Sequence, residues 1–222
     1  LVEGLLYVGT DDGLVHVTGD GGKTWREIVT FPDVPTQTYV SCLTASRHHA
    51  DTVFAAFDNH KNGDFKPYLL VSTNRGQSWT SIAGNLSKRD VVLTVQQDHE
   101  KPELLFAGTE VGAYFTLDTG AHWTKFSSLP TIAVRDIEIQ RRESDLILGT
   151  FGRGIYLLDD YSPLRHATPD LLRQDAHIFP VKDALRYIER SRLGGRTGRG
   201  SVGATYFAAP NPPFGAIFTW HL

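Results

Sequence analysis

Short apolar runs separated by turn-forming residues recur along the first 160 residues of the chain. Three of these runs end in Gly-Thr, continue through a glycine-containing turn and enter a second apolar run: VGTDDGLVHV (8–17), AGTEVGAYFT (107–116) and LGTFGRGIYLL (148–158). Two such runs around a short turn are typical of a β-hairpin. No convincing 3.6-residue periodicity precedes residue 165. The pattern therefore predicts an all-β fold.

The predicted strands fall into four repeats. Their bounds are 5–9, 13–18 and 25–29; then 39–45, 52–57, 68–72 and 79–82; then 91–97, 104–108, 112–117 and 123–126; and then 134–140, 146–150 and 154–158. Four short strands per repeat are typical of a β-propeller blade. The first repeat lacks its first strand, and the fourth has no clear last strand. We therefore predict a partial β-propeller of about four blades of four antiparallel strands.

A second repeated element lies at the end of three of the four repeats. It reads TGDGGKTW (18–25), STNRGQSW (72–79) and TLDTGAHW (116–123), and its tryptophans are 54 and 44 residues apart. This spacing is close to the blade period of about 40–50 residues. We call the element the box. Its pattern positions are Thr18, Asp20, Gly22 and Trp25; Ser72, Asn74, Gly76 and Trp79; and Thr116, Asp118, Gly120 and Trp123.

Each box position has a structural use in a tight turn between two strands. The Asp or Asn side chain can accept hydrogen bonds from backbone N–H groups that the turn leaves unpaired. The glycine suits a positive φ, and the tryptophan begins a strand and is expected to be mostly buried between sheets. A catalytic constellation needs distinct groups that converge on one place, so we interpret the repeated box as structural.

The boxes resemble the Asp-box, or BNR, repeats of sialidases, xyloglucanase-type glycoside hydrolases, sortilin-type receptors and photosystem II stability factors. A closer resemblance is to large secreted bacterial BNR-repeat proteins described as sortilin-like or glycosyl hydrolase. It is carried by ELLFAGTEVGAYFTLDTGAHW, DLILGTFGRGIYLLDD and APNPPFGAIFTWHL. The resemblance implies the C-terminal part of a larger protein that is extracytoplasmic, either periplasmic or secreted. It implies architecture more than activity, because enzymes and non-enzymes share the box.

The texture of the chain changes after residue 160. Prolines punctuate a segment without a box, and DALRYIER (183–190) could make two helical turns. The terminal GAIFTWHL alternates as a strand, with no partner strand following it and with Ala216, Phe218 and Trp220 on one face. In BNR proteins of this kind the propeller is followed by β-sandwich modules. The predicted domains are 1–162, propeller blades; 163–209, irregular linker; and 210–222, the first strand of a second, β-sandwich domain.

The longest insertion in the repeat is DNHKNGDF at 58–65, where blade two joins its second and third strands. Its oxygen-bearing side chains are of the kind that Ca²⁺ prefers, and the weak metal candidates are Asp58, Asn62 and Asp64. The spacing is not that of an EF-hand and Lys61 lies inside it, so we predict no metal. Long loops on a rigid scaffold often carry binding. The partner-binding candidates are Asn59, His60, Lys61 and Phe65, with Arg192, Arg196 and Arg199 of the later Arg/Gly stretch.

That Arg/Gly stretch has two interpretations, a flexible solvated loop or a patch that docks an acidic partner. It also contains GxGxxG at Gly198, Gly200 and Gly203. A dinucleotide fingerprint must follow a strand and open a helix, whereas ATYFAAPNPP follows here. We therefore expect no cofactor.

Sialidases and inverting glycosidases each need particular residue types at their active sites. A sialidase uses an arginine triad, for which the third and fourth repeats offer Arg135, Arg142 and Arg153, and no Arg-Ile-Pro segment occurs. An inverting glycosidase needs two carboxylates about 6.5–9.5 Å apart. The acidic candidates lie at turns, where solvated acids are common: Asp11, Asp12, Glu110, Asp159 and Asp160. We therefore expect no catalytic residue in this chain.

Composition sets the remaining bounds. The net charge of −3 gives no field for nucleic acid, and no apolar run approaches the roughly 18 residues of a membrane span. We predict a non-catalytic binding or scaffolding module that mediates protein–protein interaction, as an extracytoplasmic subunit or assembly factor of a larger complex, which includes docking to a membrane complex. The alternative is a fragment of a BNR-repeat glycoside hydrolase whose active site lies in other blades.

Overall fold

The chain forms two compact units, residues 1–167 and 168–222. The computed structural model describes residues 2–168, 170–184, 186 and 214–222. Arg192, Arg196 and Arg199, the GxGxxG glycines and most of the helix predicted over 183–190 lie outside the described residues. In the described part of the chain, no helix has the length and apolar character needed to cross a membrane.

The first unit contains four antiparallel sheets, whose strands pair in chain order. Blade one contains β1 (Leu6–Gly9), β2 (Val15–Thr18) and β3 (Arg26–Ile28). Blade two contains β4 (Tyr39–Ala45), β5 (Val53–Asp58), β6 (Tyr68–Ser72) and β7 (Thr80–Ser81). Blade three contains β8 (Val92–Gln97), β9 (Leu105–Thr109), β10 (Gly112–Thr116) and β11 (Thr124–Lys125). Blade four contains β12 (Val134–Gln140), β13 (Asp145–Thr150) and β14 (Ile155–Leu158). The predicted all-β, four-blade fold is confirmed.

The first strand of each of blades two to four carries a register shift at the same place. It falls between Val40 and Cys42 in β4, and β8 and β12 repeat it at the corresponding residues. An extra residue of this kind bends its strand and increases the local twist. The repeated shift shows that these blades share one backbone plan.

The hydrophobic core lies between consecutive blades. Val53, Ala55 and Phe57 of β5 pack toward blade one, whereas Phe54 and Ala56 of the same strand pack toward blade three. A third cluster joins blades three and four. Because successive residues of a strand point to opposite faces, a blade with a neighbour on each side needs a continuous apolar run. This explains why all six residues of β5 are buried.

The Gly-Thr motif closes the turn between the second and third strands. The Thr109 hydroxyl donates to the Gly112 carbonyl (3.1 Å), and the Thr150 hydroxyl donates to the Gly154 carbonyl (2.7 Å). In blade two the strand register places Phe57 at this position. Without the threonine, the chain opens into the longer connection at 58–67.

After β14, the chain forms a one-turn helix, α1 (Pro163–His166). In the second unit, a 3₁₀ turn (Leu171–Arg173) precedes β15 (His177–Ile178), which pairs with β16 (Trp220–His221). The expectation of an unpartnered terminal strand is therefore wrong. The paired part is two residues long, and its partner, β15, lies upstream in the chain. Backbone groups need such a partner. The domain boundaries at 162 and 209 stay predictions.

Candidate partner-binding site

The two ends of the blades carry different loops. Strands within each blade alternate in direction, so connections between the second and third strands lie at one end, and those between the third and fourth at the other. We call the first the loop end and the second the box end. The insertion at 58–67 therefore belongs to the loop end, and the three boxes belong to the box end.

The boxes hold their turns through the side chain of the Asp or Asn. Asp20 Oδ1 accepts hydrogen bonds from the Thr18 hydroxyl (2.7 Å) and from the backbone N–H groups of Lys23 (2.9 Å) and Thr24 (3.0 Å). Its Oδ2 accepts from the Thr24 hydroxyl (2.7 Å). These bonds, those from Thr24 above all, hold the pKa of Asp20 far below its usual range. The named hydrogen bonds of the Asp20 carboxylate all lie within its own turn, so its role is structural.

The box glycines also lie against the preceding blade. Gly76 and Gly120 have φ values of 75° and 92°, in the region that favours glycine. A Cβ on Gly120 would stand 2.5 Å from the carbonyl oxygen of Ile82 in blade two. The indole N–H of Trp123 donates to the same carbonyl at 2.8 Å. The boxes of blades two and three therefore each dock their blade onto the outer edge of the blade before it.

The expected burial of the box tryptophans is confirmed for two of them and wrong for the third. Trp79 and Trp123 are 8% and 4% exposed, whereas Trp25 is 44% exposed. The Trp25 indole N–H donates to Gly22 within its own turn, at 3.1 Å. The reason is positional, because a box tryptophan is buried by the preceding blade, and the described residues include no blade before β1.

The insertion at 58–67 is organised by its own side chains. The buried Asp58 carboxylate accepts from the backbone N–H of His60 (3.0 Å) and lies 2.7 Å from its Nδ1. Asn62 donates to the side chain of buried Asn59 (2.7 Å). The Tyr68 hydroxyl donates to Asp64 (2.5 Å), a bond that lowers the pKa of Asp64. The loop is therefore tied together by hydrogen bonds between its own residues and Tyr68.

The same contacts decide what the insertion can offer. Of the weak metal candidates, Asp58 and Asp64 use their carboxylate oxygens to accept hydrogen bonds from His60 and Tyr68, and Asn62 donates its side-chain amide to Asn59. Among the described residues, no group of three or more His, Cys, Asp or Glu side chains is placed to hold a metal. Phe65 is 43% exposed, and Lys61, four residues before it in the sequence, is also exposed. The loop therefore presents an aromatic ring and a cation on a fixed backbone.

A buried ionic cluster at the box end is absent from the predictions made from sequence. Asp98 is fully buried, and Arg165 of α1 binds it through two nitrogens, Nε to Oδ2 (3.0 Å) and Nη2 to Oδ1 (2.9 Å). The Tyr161 hydroxyl also donates to Asp98. Burial opposes the charged form, but hydrogen bonds, from Arg165 first, outweigh it and lower the pKa of Asp98 to about 2.

A signal for this cluster exists in the sequence. LDDYSPLR at 158–165 aligns without gaps with the third box, TLDTGAHW. Asp160 then occupies the aspartate position, Ser162 the glycine position and Arg165 the tryptophan position. The degenerate box forms α1 in place of a fourth strand, and Arg165 joins it to the loop between β8 and β9 of blade three. We interpret the cluster as a structural tie.

The candidate catalytic residues do not gather in one place. Arg142 lies in the β12–β13 turn at the box end, and Arg153 lies in the β13–β14 turn at the loop end. Arg135 packs its guanidinium over the Phe151 ring, at 5.6 Å. Among the acids, Asp11, Asp12 and Glu110 lie in turns of the loop end, and Asp159 and Asp160 follow β14 at the opposite end.

Comparison with known proteins supports the fold alone. No family model and no curated protein matches the chain. Solved β-propeller structures match it at 12–17% identity. They include YCF48 bound to a D1 peptide (15%, TM-score 0.53, covering 71% of this chain and 48% of that one). The GH74 enzyme of Niastella koreensis gives 16%, TM-score 0.55, and 71% and 27%. The extracellular domain of BT4673 from B. thetaiotaomicron gives 12%, 0.55, and 73% and 20%.

The chain spans between a fifth and about half the length of these three proteins. A peptide complex and an enzyme occur among them. The fold is therefore compatible both with a binding module and with the glycoside hydrolase alternative, and the chemistry of individual residues must separate the two.

Proposed function

We propose that this chain is a non-catalytic β-propeller module that binds a protein partner at its loop end, with the insertion at 58–67 as the contact. The observation that supports the proposal is the internally bonded insertion. It replaces a tight turn in one blade, buries Asp58 and Asn59, and exposes Phe65 and Lys61.

Rigid presentation matters because ordering a loop on binding costs free energy. Immobilising one side chain with many rotamers costs about 0.5–1.5 kcal/mol. In this insertion, the hydrogen bonds that His60 donates to Asp58 and that Tyr68 donates to Asp64 order the loop before binding. An exposed aromatic ring is a frequent anchor at interfaces. We infer a partner segment with an apolar side chain for Phe65 and an acidic group for Lys61.

The setting that we propose is extracytoplasmic, within a larger assembly. The resemblance of the boxes to BNR proteins supports it, and an extracellular domain and a peptide-bound protein occur among the propellers of similar fold. Docking to a membrane complex fits the same setting.

A peptide selection tests the proposal. The chain is used to select binders from a phage-displayed library of random peptides, and affinities of the selected peptides are measured by calorimetry. Phe65→Ala and Lys61→Glu should each weaken binding by about tenfold or more, as expected for anchor positions. The matched control is Phe151→Ala, because Phe151 is 71% exposed in another turn of the loop end. Its affinity should equal that of the unmodified chain.

Two results would contradict the proposal. One is a set of selected peptides whose affinity is the same for Phe65→Ala and for the unmodified chain. The other is repeated failure to select any peptide with a folded chain, as judged by its circular dichroism.

A further inference from the structure

A groove of about 300 Å³ lies between blades one and two at the box end. Its apolar part is formed by Leu5 and Val17 of blade one. Its polar part includes Arg26 of blade one and Arg75 and Gln77 of the second box, so both blades contribute to it. Apolar surface combined with a few fixed polar groups is typical of a pocket for a small ligand.

The repeat shows why this contact is open. The second position of the box is Gly19 in blade one and Leu117 in blade three. Leu117 packs against the core that joins blades three and four, whereas a Cβ on Gly19 would have no atom within 4 Å. The groove therefore lies where the third box places an apolar side chain against the following blade.

The second box also brings polar groups that the third box lacks. Its fourth and sixth positions are Arg75 and Gln77. The third box has Thr119 and Ala121 at these positions, so the contact between blades two and three receives neither a cation nor an amide from its box.

The two arginines of the groove are held in different ways. The guanidinium of Arg26 donates to the backbone carbonyls of Arg75 and of Gly76, the latter at 3.2 Å, so it is fixed across the contact. Arg75 donates its Nε to Asp51 (2.6 Å), and within the described residues its two terminal nitrogens have no hydrogen-bond partner. The Arg75 side chain is 46% exposed. Such a pair of donors matches the two oxygens of a carboxylate.

The same contact lacks hydrogen bonds that the next contact makes. Between blades two and three, the indole N–H of Trp123 donates to the Ile82 carbonyl (2.8 Å). The corresponding indole N–H of Trp79 and the hydroxyl of Tyr7 are buried between blades one and two, with no partner in the described part of the chain. Departures from an otherwise consistent design are expected at functional sites. Docking of one blade on the next does not explain this one.

We propose that the groove binds a small organic carboxylate with an apolar body. The carboxylate lies on the terminal nitrogens of Arg75, with the Gln77 amide beside it, and the apolar body lies on Leu5 and Val17. Asp51 offsets one of the two arginine charges, so the three charged groups leave the groove positive. The volume is at the lower end of the range for ligand pockets, which favours a small molecule. The site lies at the box end and is independent of the proposed contact at 58–67.

Titration of the isotope-labelled chain, followed by NMR, tests the proposal with phenylacetate and its neutral counterpart phenylacetamide. Phenylacetate should shift the backbone amide signals of 75–77 and bind with a Kd of about 1 mM or lower. Phenylacetamide should bind about tenfold more weakly or worse, because it lacks the charge. Arg75→Gln should weaken phenylacetate binding by about tenfold or more and remove the difference between the two ligands.

Arg142→Gln is the matched control for the loss of charge. Arg142 also lies in a turn of the box end and pairs its Nε with an acid, Glu143 (2.8 Å). Its replacement should leave phenylacetate binding unchanged. Circular dichroism checks that both arginine variants are folded.

Gly19→Leu tests the apolar half of the groove. It gives the first box the side chain that the third box has, in a position with open space for a Cβ. The filled groove should bind phenylacetate at least about tenfold more weakly, while the melting temperature of the chain does not fall.

Three results would overturn the proposal. The first is the absence of any shift at 75–77 with phenylacetate at about ten times the expected Kd. The second is equal affinity of the unmodified chain for phenylacetate and phenylacetamide, which would show that the arginine charge does not select the ligand. The third is phenylacetate binding that Arg75→Gln and Arg142→Gln reduce equally, or that a folded Gly19→Leu retains in full.

Discussion

Replacing Gly120 with alanine tests how a box docks onto the blade before it. The new Cβ would stand 2.5 Å from the Ile82 carbonyl oxygen and 2.7 Å from the Ile82 Cβ, so the two blades must move apart. The residue also has a φ of 92°, which costs a residue with a Cβ about 1–2 kcal/mol. Forcing extra volume into a packed contact costs about 1–3 kcal/mol more. We therefore expect Gly120→Ala to lower the free energy of unfolding by about 2–5 kcal/mol.

The chain contains a matched control in the first box. Gly22 occupies the same box position with a φ of 93°, and the nearest atom to a Cβ there is Cζ2 of Trp25, at 3.7 Å. Gly22→Ala therefore has the backbone strain without the clash, and it should cost about 1–2 kcal/mol.

Urea unfolding monitored by tryptophan fluorescence measures both variants. The expected difference between the two variants is about 1–3 kcal/mol. In thermal unfolding, each kcal/mol corresponds to roughly 2–4 °C in melting temperature for a chain of this size. Equal losses for Gly120→Ala and Gly22→Ala would refute the reasoning. That result would mean that the box glycine serves its own turn and does not contact the neighbouring blade.

Four further predictions follow from the described contacts. Asp98→Asn removes the buried carboxylate that Arg165 binds and leaves the exposed Glu100 as its ionic partner, so it should cost about 3 kcal/mol in urea unfolding, whereas Asp51→Asn, in an exposed ion pair, should cost less than about 1 kcal/mol. The pKa of Asp98 lies below its ordinary value of 3.8, at about 2. The ionised carboxylate therefore contributes about 2 kcal/mol to the free energy of unfolding above pH 4, and this contribution is lost as the pH falls from about 4 to about 2. Asp98→Asn should flatten that part of the profile of stability against pH. Trp123→Ala should cost about 3–5 kcal/mol in urea unfolding, against less than about 1 kcal/mol for the more exposed Trp25→Ala, and similar losses would contradict the docking of a box on the preceding blade. Incubation with sialosides and β-glucans should give no turnover, and turnover abolished by a single Asp or Glu substitution would show that the chain is catalytic.

Much of the fold is readable from the sequence because its signals are local and repeated. A box contains its own hydrogen-bond donors and acceptors within eight residues, so its turn forms wherever the pattern occurs. The Gly-Thr turns are similarly self-contained, as Thr109 shows by closing on Gly112. Two local signals at blade spacing are enough to predict the strands, their order and the fold class.

The remaining features depend on neighbours that a local pattern does not identify. Trp25 lies in the same box pattern as the buried Trp79 and Trp123, but its burial depends on a preceding blade. The pairing of β16 with β15 joins segments that are far apart in the chain, and no local pattern indicates it. The Asp98–Arg165 pair was not predicted because Arg165 lies in the degenerate box at 158–165. It occupies the position where the other boxes have tryptophan.

Hydrogen exchange of the chain, with and without a selected peptide, tests the central claim most directly. The account places the partner at the loop end, so the peptide should slow exchange in 58–67 and leave the boxes at 18–25, 72–79 and 116–123 unchanged. Slower exchange at the boxes, with 58–67 unaffected, would contradict the account and place the binding surface at the opposite end of the blades.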